Sequence, residues 1–227
     1  MIVPLTPGTG AEPLPNAARR PLRTRDARWA RTLATWLVNR RIRPNWISLA
    51  SLGFAAAGAL AMLAAPAASP GGRAALFVLA AACIQFRLLC NMLDGMVAVE
   101  GGLGSSAGDI YNELPDRIAD PLLIVPAGYA TGFALGPELG WIAGMLAVFT
   151  AYIRALGGTC GLPQSFVGPM AKPHRMATMT GGLLLAALVV PLGREGAVIF
   201  IALTLVAVGA LITAGRRTSA ILKALAP

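Results

Sequence analysis

Six nearly unbroken apolar stretches, near residues 46–66, 74–98, 107–131, 139–158, 174–192 and 196–214, dominate this 227-residue chain. Each has about the 20 residues a helix needs to cross roughly 30 Å of hydrocarbon. Hydrocarbon offers the backbone no hydrogen-bond partners, so such stretches are helices that satisfy their own amides. The composition agrees: 56% of residues are hydrophobic and only 13% are charged, outside the range of ordinary soluble domains. The expected fold is an all-α integral membrane protein with six transmembrane helices.

The basic residues orient it. Nine arginines precede Pro44, and Arg216, Arg217 and Lys223 follow the last stretch, whereas the alternate loops hold only Arg73 and Arg194. Cytoplasmic flanks are enriched in Lys and Arg, which places both termini and the 99–106 loop on the cytoplasmic side of the inner membrane. A net charge of +9 raises the question of nucleic acid. The charges, however, lie at membrane boundaries, where they orient spans and attract anionic headgroups, so no nucleic-acid partner is expected. Cys83, Cys90 and Cys160 are odd in number and without C-x-x-C spacing, as expected of small buried hydrophobes.

Residues 1–24 are rich in Pro, Gly and Arg without an apolar core, the composition of a flexible tail. From 25 to 41, Trp29, Leu33, Trp36 and Leu37 recur at helical spacing, with arginines around the other faces. This predicts either an amphipathic helix in the cytoplasmic interface or an ordinary solvent-facing helix packed on the protein. Pro44 and Asn45 then open the first span. Residues 25–227 read as a single membrane domain.

The second and third stretches are the impure ones. Arg87, Asn91, Asp94 or Gly95, and Ala98 share one helical face, and so do Gly108, Asn112, Asp116 and Asp120, since residues three or four apart stack on a helix. If the two helices are antiparallel neighbours joined by a short loop, Asp94 (or Gly95) faces Asn112, Asn91 faces Asp116, and Arg87 faces Asp120. A charge at the bilayer centre costs on the order of 2.5–3.5 kcal/mol even on lenient scales. Arg87 neutralises only one acid. A divalent cation suits the rest, and Asp and Asn oxygens favour Mg²⁺, Mn²⁺ or Ca²⁺. Small residues at Gly95, Ala98 and 101–108 let backbone approach a ligand closely.

"NMLDGMVAVEGGLGSSAGDIYNELPD", residues 91–116, resembles the signature of the CDP-alcohol phosphatidyltransferases, D-x2-D-G-x2-A-R-x8-G-x3-D-x3-D. Asp94, Gly95, Ala98, Gly108 and Asp116 are in register. Asn91 and Asn112 stand where the pattern has Asp, and Val99 where it has Arg. An alternative register takes Asp116 and Asp120 as the final pair, with a longer spacer. The resemblance implies a metal-dependent enzyme of phospholipid biosynthesis. Such an enzyme transfers a phosphatidyl group from a CDP-linked lipid such as CDP-diacylglycerol to an alcohol and releases CMP, acting as a homodimer among membrane lipids.

It further implies Mg²⁺ or Mn²⁺, two ions in the family, held here by Asn91, Asp94, Asn112 and Asp116. Glu113 or Asp120 would restore the charge the two asparagines remove; otherwise a single ion is held tightly, and Asp120 instead pairs with Arg87. Asp116 would be the catalytic proton acceptor. Asn45, Ser48, Asp94, Gly95, Ala98 and Gly108 would line the nucleotide. Arg154, Lys172, His174 and Arg175 would bind the acceptor, a small alcohol or polyol phosphate, although the positive-inside rule alone also accounts for them. Two other readings use the same acids: a cation transporter or channel, since intramembrane acids mark ion pathways, and a catalytically weakened family member that binds lipid.

Overall fold

The computed structural model describes residues 27–102 and 108–226. The expected tail at 1–24 and the first two residues of the 25–41 helix lie outside the described residues, as do the side chains of Glu100, Asp109 and Asn112. Among the described residues the secondary structure is entirely helical: α1 (Arg28–Asn39), α2 (Pro44–Ala64), α3 (Pro70–Glu100), α4 (Gly108–Tyr129), α5 (Gly136–Thr159), α6 (Lys172–Val189) and α7 (Glu195–Leu225). Proline starts are frequent. Pro44, Pro70, Pro137 and Pro173 each occupy the first turn of a helix, where the missing N–H has no intrahelical partner to lose.

Five of these helices, α2, α3, α5, α6 and α7, are long and apolar enough to cross a membrane. The large apolar side chains exposed on the bundle, among them Leu60, Met145, Leu188, Leu192 and Leu211, suit hydrocarbon and not water. The chain is an integral membrane protein. α4 falls at the third expected span but is not one of the five. It carries Asp116, Arg117 and Asp120, and it holds Pro115, Pro121 and Pro126 inside the helix, each removing one backbone hydrogen bond.

The helices from α2 to α7 close into a ring in the order α2, α3, α6, α7, α5, α4 and back to α2. Sequence neighbours are therefore not always spatial neighbours. α3 and α4, expected to pack directly, meet at few points, because α2 is wedged between them. Gly58 permits the wedge. A Cβ there would lie 2.9 Å from Leu123 Cδ2 of α4 and 3.1 Å from Cys83 Cβ of α3, so a larger residue would force these neighbours to shift. The long side chains of the two polar stripes bridge the opening that remains.

Inside the ring, one apolar core joins Met62, Phe77, Ile84, Leu123, Ile124, Met179, Leu183 and Leu203 with many alanines. Small residues of this kind are what membrane helices use to pack closely. A second cluster sits at the end of the ring where α1 docks. There Ala30, Ala34 and Leu37 pack against Ile47, Leu93, Met96 and Val97. Of the apolar positions of α1, Leu37 is covered, and Trp29 and Trp36 are exposed on the surface of the bundle. Alanines allow the short approach to α3, and the bulky indoles point outward.

Candidate active site

The site is built where the polar ends of α3, α4 and α6 converge, with α2 and α5 contributing one side chain each. Helical periodicity puts Arg87, Asn91 and Asp94 on the inner face of α3 and Asp116 and Asp120 on that of α4. The start of α6 brings Lys172 and Arg175 to the same place.

Arg87 is 0% exposed. Its Nη2 lies 3.0 Å from Asp116 Oδ1 and 2.7 Å from Asp120 Oδ1. The first contact is a hydrogen bond; the second is an ion pair off the line of a hydrogen bond, which leaves Asp120 Oδ1 without a donor. Asn91 Nδ2 donates to Asp116 Oδ1 at 2.8 Å, and Lys172 Nζ donates to Asp116 Oδ2. Arg175 Nη2 donates to Asp120 Oδ2. The rungs Asn91–Asp116 and Arg87–Asp120 are thus in contact. The third, between Asp94 and Asn112, lies outside the described residues. Arg87 spans two rungs, and Asp120 is shared between Arg87 and Arg175.

Asp94 is held differently. Ser48 Oγ of α2 donates to its Oδ2 at 2.6 Å. Its Oδ1 is buried and has no hydrogen-bond partner among the described residues. An unpaired buried carboxylate oxygen is costly, so a donor or ion from outside the chain would be stabilised at this atom.

Glu113 and Asp120, the two acids expected to compensate for Asn91 and Asn112, are both engaged by arginines. Arg154 Nη2 reaches Glu113 Oε1 and Oε2 at 2.7 Å each, and Arg117 also pairs with this carboxylate. Asp120 lies between Arg175 and Arg87. Among the described residues no three His, Cys, Asp or Glu side chains gather as a metal-holding group. Among the described residues the donors that fit a hard cation are the Asp94 carboxylate with its orphaned oxygen and the side-chain oxygen of Asn91 one turn earlier.

Beside this cluster lies a cavity of about 170 Å³ lined by Arg117, Arg154, Phe166, Lys172, Arg175 and Arg217. Three of the four residues expected to bind an acceptor therefore share one cavity. His174 is exposed on α6 and is not part of its lining. Arg217 was not singled out from the sequence, because a basic pair after the last span reads as a topology signal. It is only 4% exposed. Its Nε donates to Val167 O at 3.0 Å and its Nη1 to Thr150 O at 2.7 Å, tying α7 to α5 and to the loop before α6. Of the expected nucleotide-lining residues, Asn45 and Ser48 stand in the first turns of α2, Gly95 and Ala98 on the last turns of α3, and Gly108 opens α4.

No family model matches the chain. It is 32% identical over 145 residues to inner membrane protein YnbA of Escherichia coli (strain K12), a match covering 62% of this chain and 66% of that protein. The chain thus spans just under two thirds of the length of that relative. It is 26% identical over 195 residues to the phosphatidylinositol phosphate synthase of Mycobacterium marinum, covering 84% and 78% of the two chains. Among solved structures, the Mycobacterium tuberculosis phosphatidylinositol phosphate synthase PgsA1 with CDP-DAG bound superposes with a TM-score of 0.70 at 23% identity, over 86% of this chain and 94% of that one. The same enzyme in complex with manganese and citrate gives 0.70 and 23%, over 85% and 88%. The fold is that of a phosphatidylinositol phosphate synthase. All the polar geometry described above therefore sits on a scaffold which, in PgsA1, accommodates CDP-DAG.

Proposed function

We propose that this chain transfers a phosphatidyl group from CDP-diacylglycerol, or a closely related CDP-linked lipid, to an alcohol, releasing CMP in phospholipid biosynthesis. The observation that carries the reading is the Asp94–Asn91–Asp116 face, poised beside a basic cavity on this particular fold. In the reaction the acceptor oxygen forms a bond to the lipid phosphorus, the bond from that phosphorus to CMP breaks, and the hydroxyl proton passes to Asp116.

Asp94 and Asn91 would hold a divalent ion, Mg²⁺ or Mn²⁺, which when bound neutralises the diphosphate and the departing CMP. Ser48 fixes the Asp94 carboxylate so that Oδ1 faces the site. Asn45, Gly95, Ala98 and Gly108 line the path of the nucleotide, where small residues admit it. Arg154, Lys172, Arg175 and Arg217 face the acceptor. Guanidinium groups make paired hydrogen bonds to phosphate oxygens, so the acceptor is an anionic alcohol such as a polyol phosphate.

In this reading α4 is a sixth span, its charges turned into the ring. α1 lies in the cytoplasmic interface with Trp29 and Trp36 at headgroup level, both termini are cytoplasmic, and residues 25–227 form one domain. A transporter is disfavoured because, among the described residues, the polar cluster does not continue along the inner faces of α3, α4 and α6. Beyond Asp120 on α4 come buried Leu123, Ile124 and Ala127; beyond Arg87 on α3, Ile84, Ala80 and Phe77; beyond Arg175 on α6, Met176, Met179 and Leu183.

The test is CMP release from labelled CDP-diacylglycerol by the purified chain, with phosphorylated and unphosphorylated forms of each acceptor, with Mg²⁺ or Mn²⁺ and after chelation. Release that requires the ion and is faster with the phosphorylated form is expected. No release with any acceptor would support a lipid-binding role instead, and equal rates for the two forms would refute the anionic acceptor.

A further inference from the structure

The two acids at the centre of the site are not equivalent, and the difference bears on how many ions it takes. Both oxygens of Asp116 are occupied: Oδ1 accepts from Arg87 and Asn91, and Oδ2 accepts from Lys172. Among the described residues no cation forms an ion pair with Asp94. The neutral Ser48 hydroxyl and the Gly95 backbone N–H are its partners, and the residue is only 4% exposed, with Oδ1 unsatisfied among the described residues.

The charge balance points the same way. Asp94, Asp116 and Asp120 are matched in number by Arg87, Lys172 and Arg175. Asn91 offers an oxygen donor without charge. Glu113 cannot make up the deficit, because Arg154 and Arg117 take its carboxylate. A first dication at Asp94 would meet an unsatisfied carboxylate. A second, at Asp116, would have to share that carboxylate with an ammonium and a guanidinium, a like-charge contact that is strongly unfavourable in a poorly hydrated site.

We propose that the Lys172 ammonium stands in for one of the two divalent ions that the signature implies, so that this chain works with a single ion held on Asp94. Lysine suits the task. Its charge is a compact point on a flexible stem, and α6 delivers it to Asp116 Oδ2, the oxygen that Asn91 does not hold. The positive charge that helps neutralise the donor's diphosphate is then partly built into the protein. The inference rests on the transferase reading given above, but its test does not depend on turnover.

Mn²⁺ binding to the purified full-length protein, counted by electron paramagnetic resonance of free against bound ion, gives the answer without substrate. One tight Mn²⁺ per chain is expected in the wild type. Asp94→Asn should weaken it by roughly 10–100-fold or more, the scale at which even supporting residues of metal sites act, and Asp116→Asn should weaken it less. A triple variant, Asn91→Asp, Asn112→Asp and Lys172→Met, should take two. Two tight ions in the wild type would overturn the role of Lys172 while leaving the transferase reading intact. So would one ion in both the wild type and a monodisperse triple variant. If the triple variant does not fold, the wild-type count and the Asp94→Asn comparison still decide. No bound ion in the wild type overturns the inference, and absence of CMP release in the separate assay overturns the reading beneath it.

Discussion

Replacing Asp116 by Asn is expected to lower the rate of CMP release by about 10²–10⁴-fold, the range over which a positioned proton acceptor contributes. The substitution keeps the volume of the side chain and one oxygen, so Arg87 and Asn91 retain a partner at that position. What it removes is the negative charge facing Lys172 and the capacity to take the acceptor's proton. The loss is therefore expected in kcat at saturating donor, with Mn²⁺ still bound at Asp94. Steady-state kinetics together with ion binding on the same preparation check this. A kcat within about threefold of the wild type, well short of the contribution expected of a proton acceptor, would remove Asp116 from the chemistry.

Arg87→Met is expected to be the most destabilising single change in the site. The guanidinium is fully buried between Asp116 and Asp120, and its removal leaves one net negative charge inside the ring. Breaking a buried ion pair by deleting one partner costs about 3–5 kcal/mol, because the other charge stays buried. Lys172 and Arg175 remain on the two carboxylates, so the lower end of that range applies. Combining the change with Asp120→Asn restores neutrality, and the double variant should be more stable than the sum of the single effects by about 0.5–3 kcal/mol. Reversible unfolding in mixed micelles measures both. A loss below about 0.5 kcal/mol, the size of an ordinary surface substitution, would show that the cluster does not hold the fold together.

These expectations trace back to features of uneven legibility in the chain. The helices follow directly from the apolar runs, because length and hydropathy suffice to place a helix in hydrocarbon. The polar stripes follow from spacing: Asn91 and Asp116 meet, and Arg87 and Asp120 meet, because two helical faces with matched depth leave few other pairings. The order of helices around the ring was not legible. Hydrophobic periodicity says which face is buried but not against which neighbour, and the wedge of α2 depends on Gly58, whose small size has no local signal.

The cations of α6 illustrate a different blind spot. Lys172 and Arg175 have an adequate explanation as positive-inside residues, so nothing in the sequence marks them as partners of Asp116 and Asp120. The same applies to Arg217, which proves to be a buried tie between α7 and α5. On α1 the periodicity was visible, but it did not say which residues would touch α3. The close contact with α3 goes to Ala30 and Ala34, because only small side chains fit there.

The central claim is that Asp94 and its neighbours hold a divalent ion against the diphosphate of a CDP-linked lipid. Crystals of the protein grown with Mn²⁺ and CDP-diacylglycerol, measured at the manganese absorption edge, test it most directly. An anomalous peak bonded to the Asp94 carboxylate, with the lipid's diphosphate beside it, is the predicted result. An ordered lipid nucleotide bound elsewhere, or a map with neither manganese nor nucleotide near Asp94 and Asp116, would contradict it.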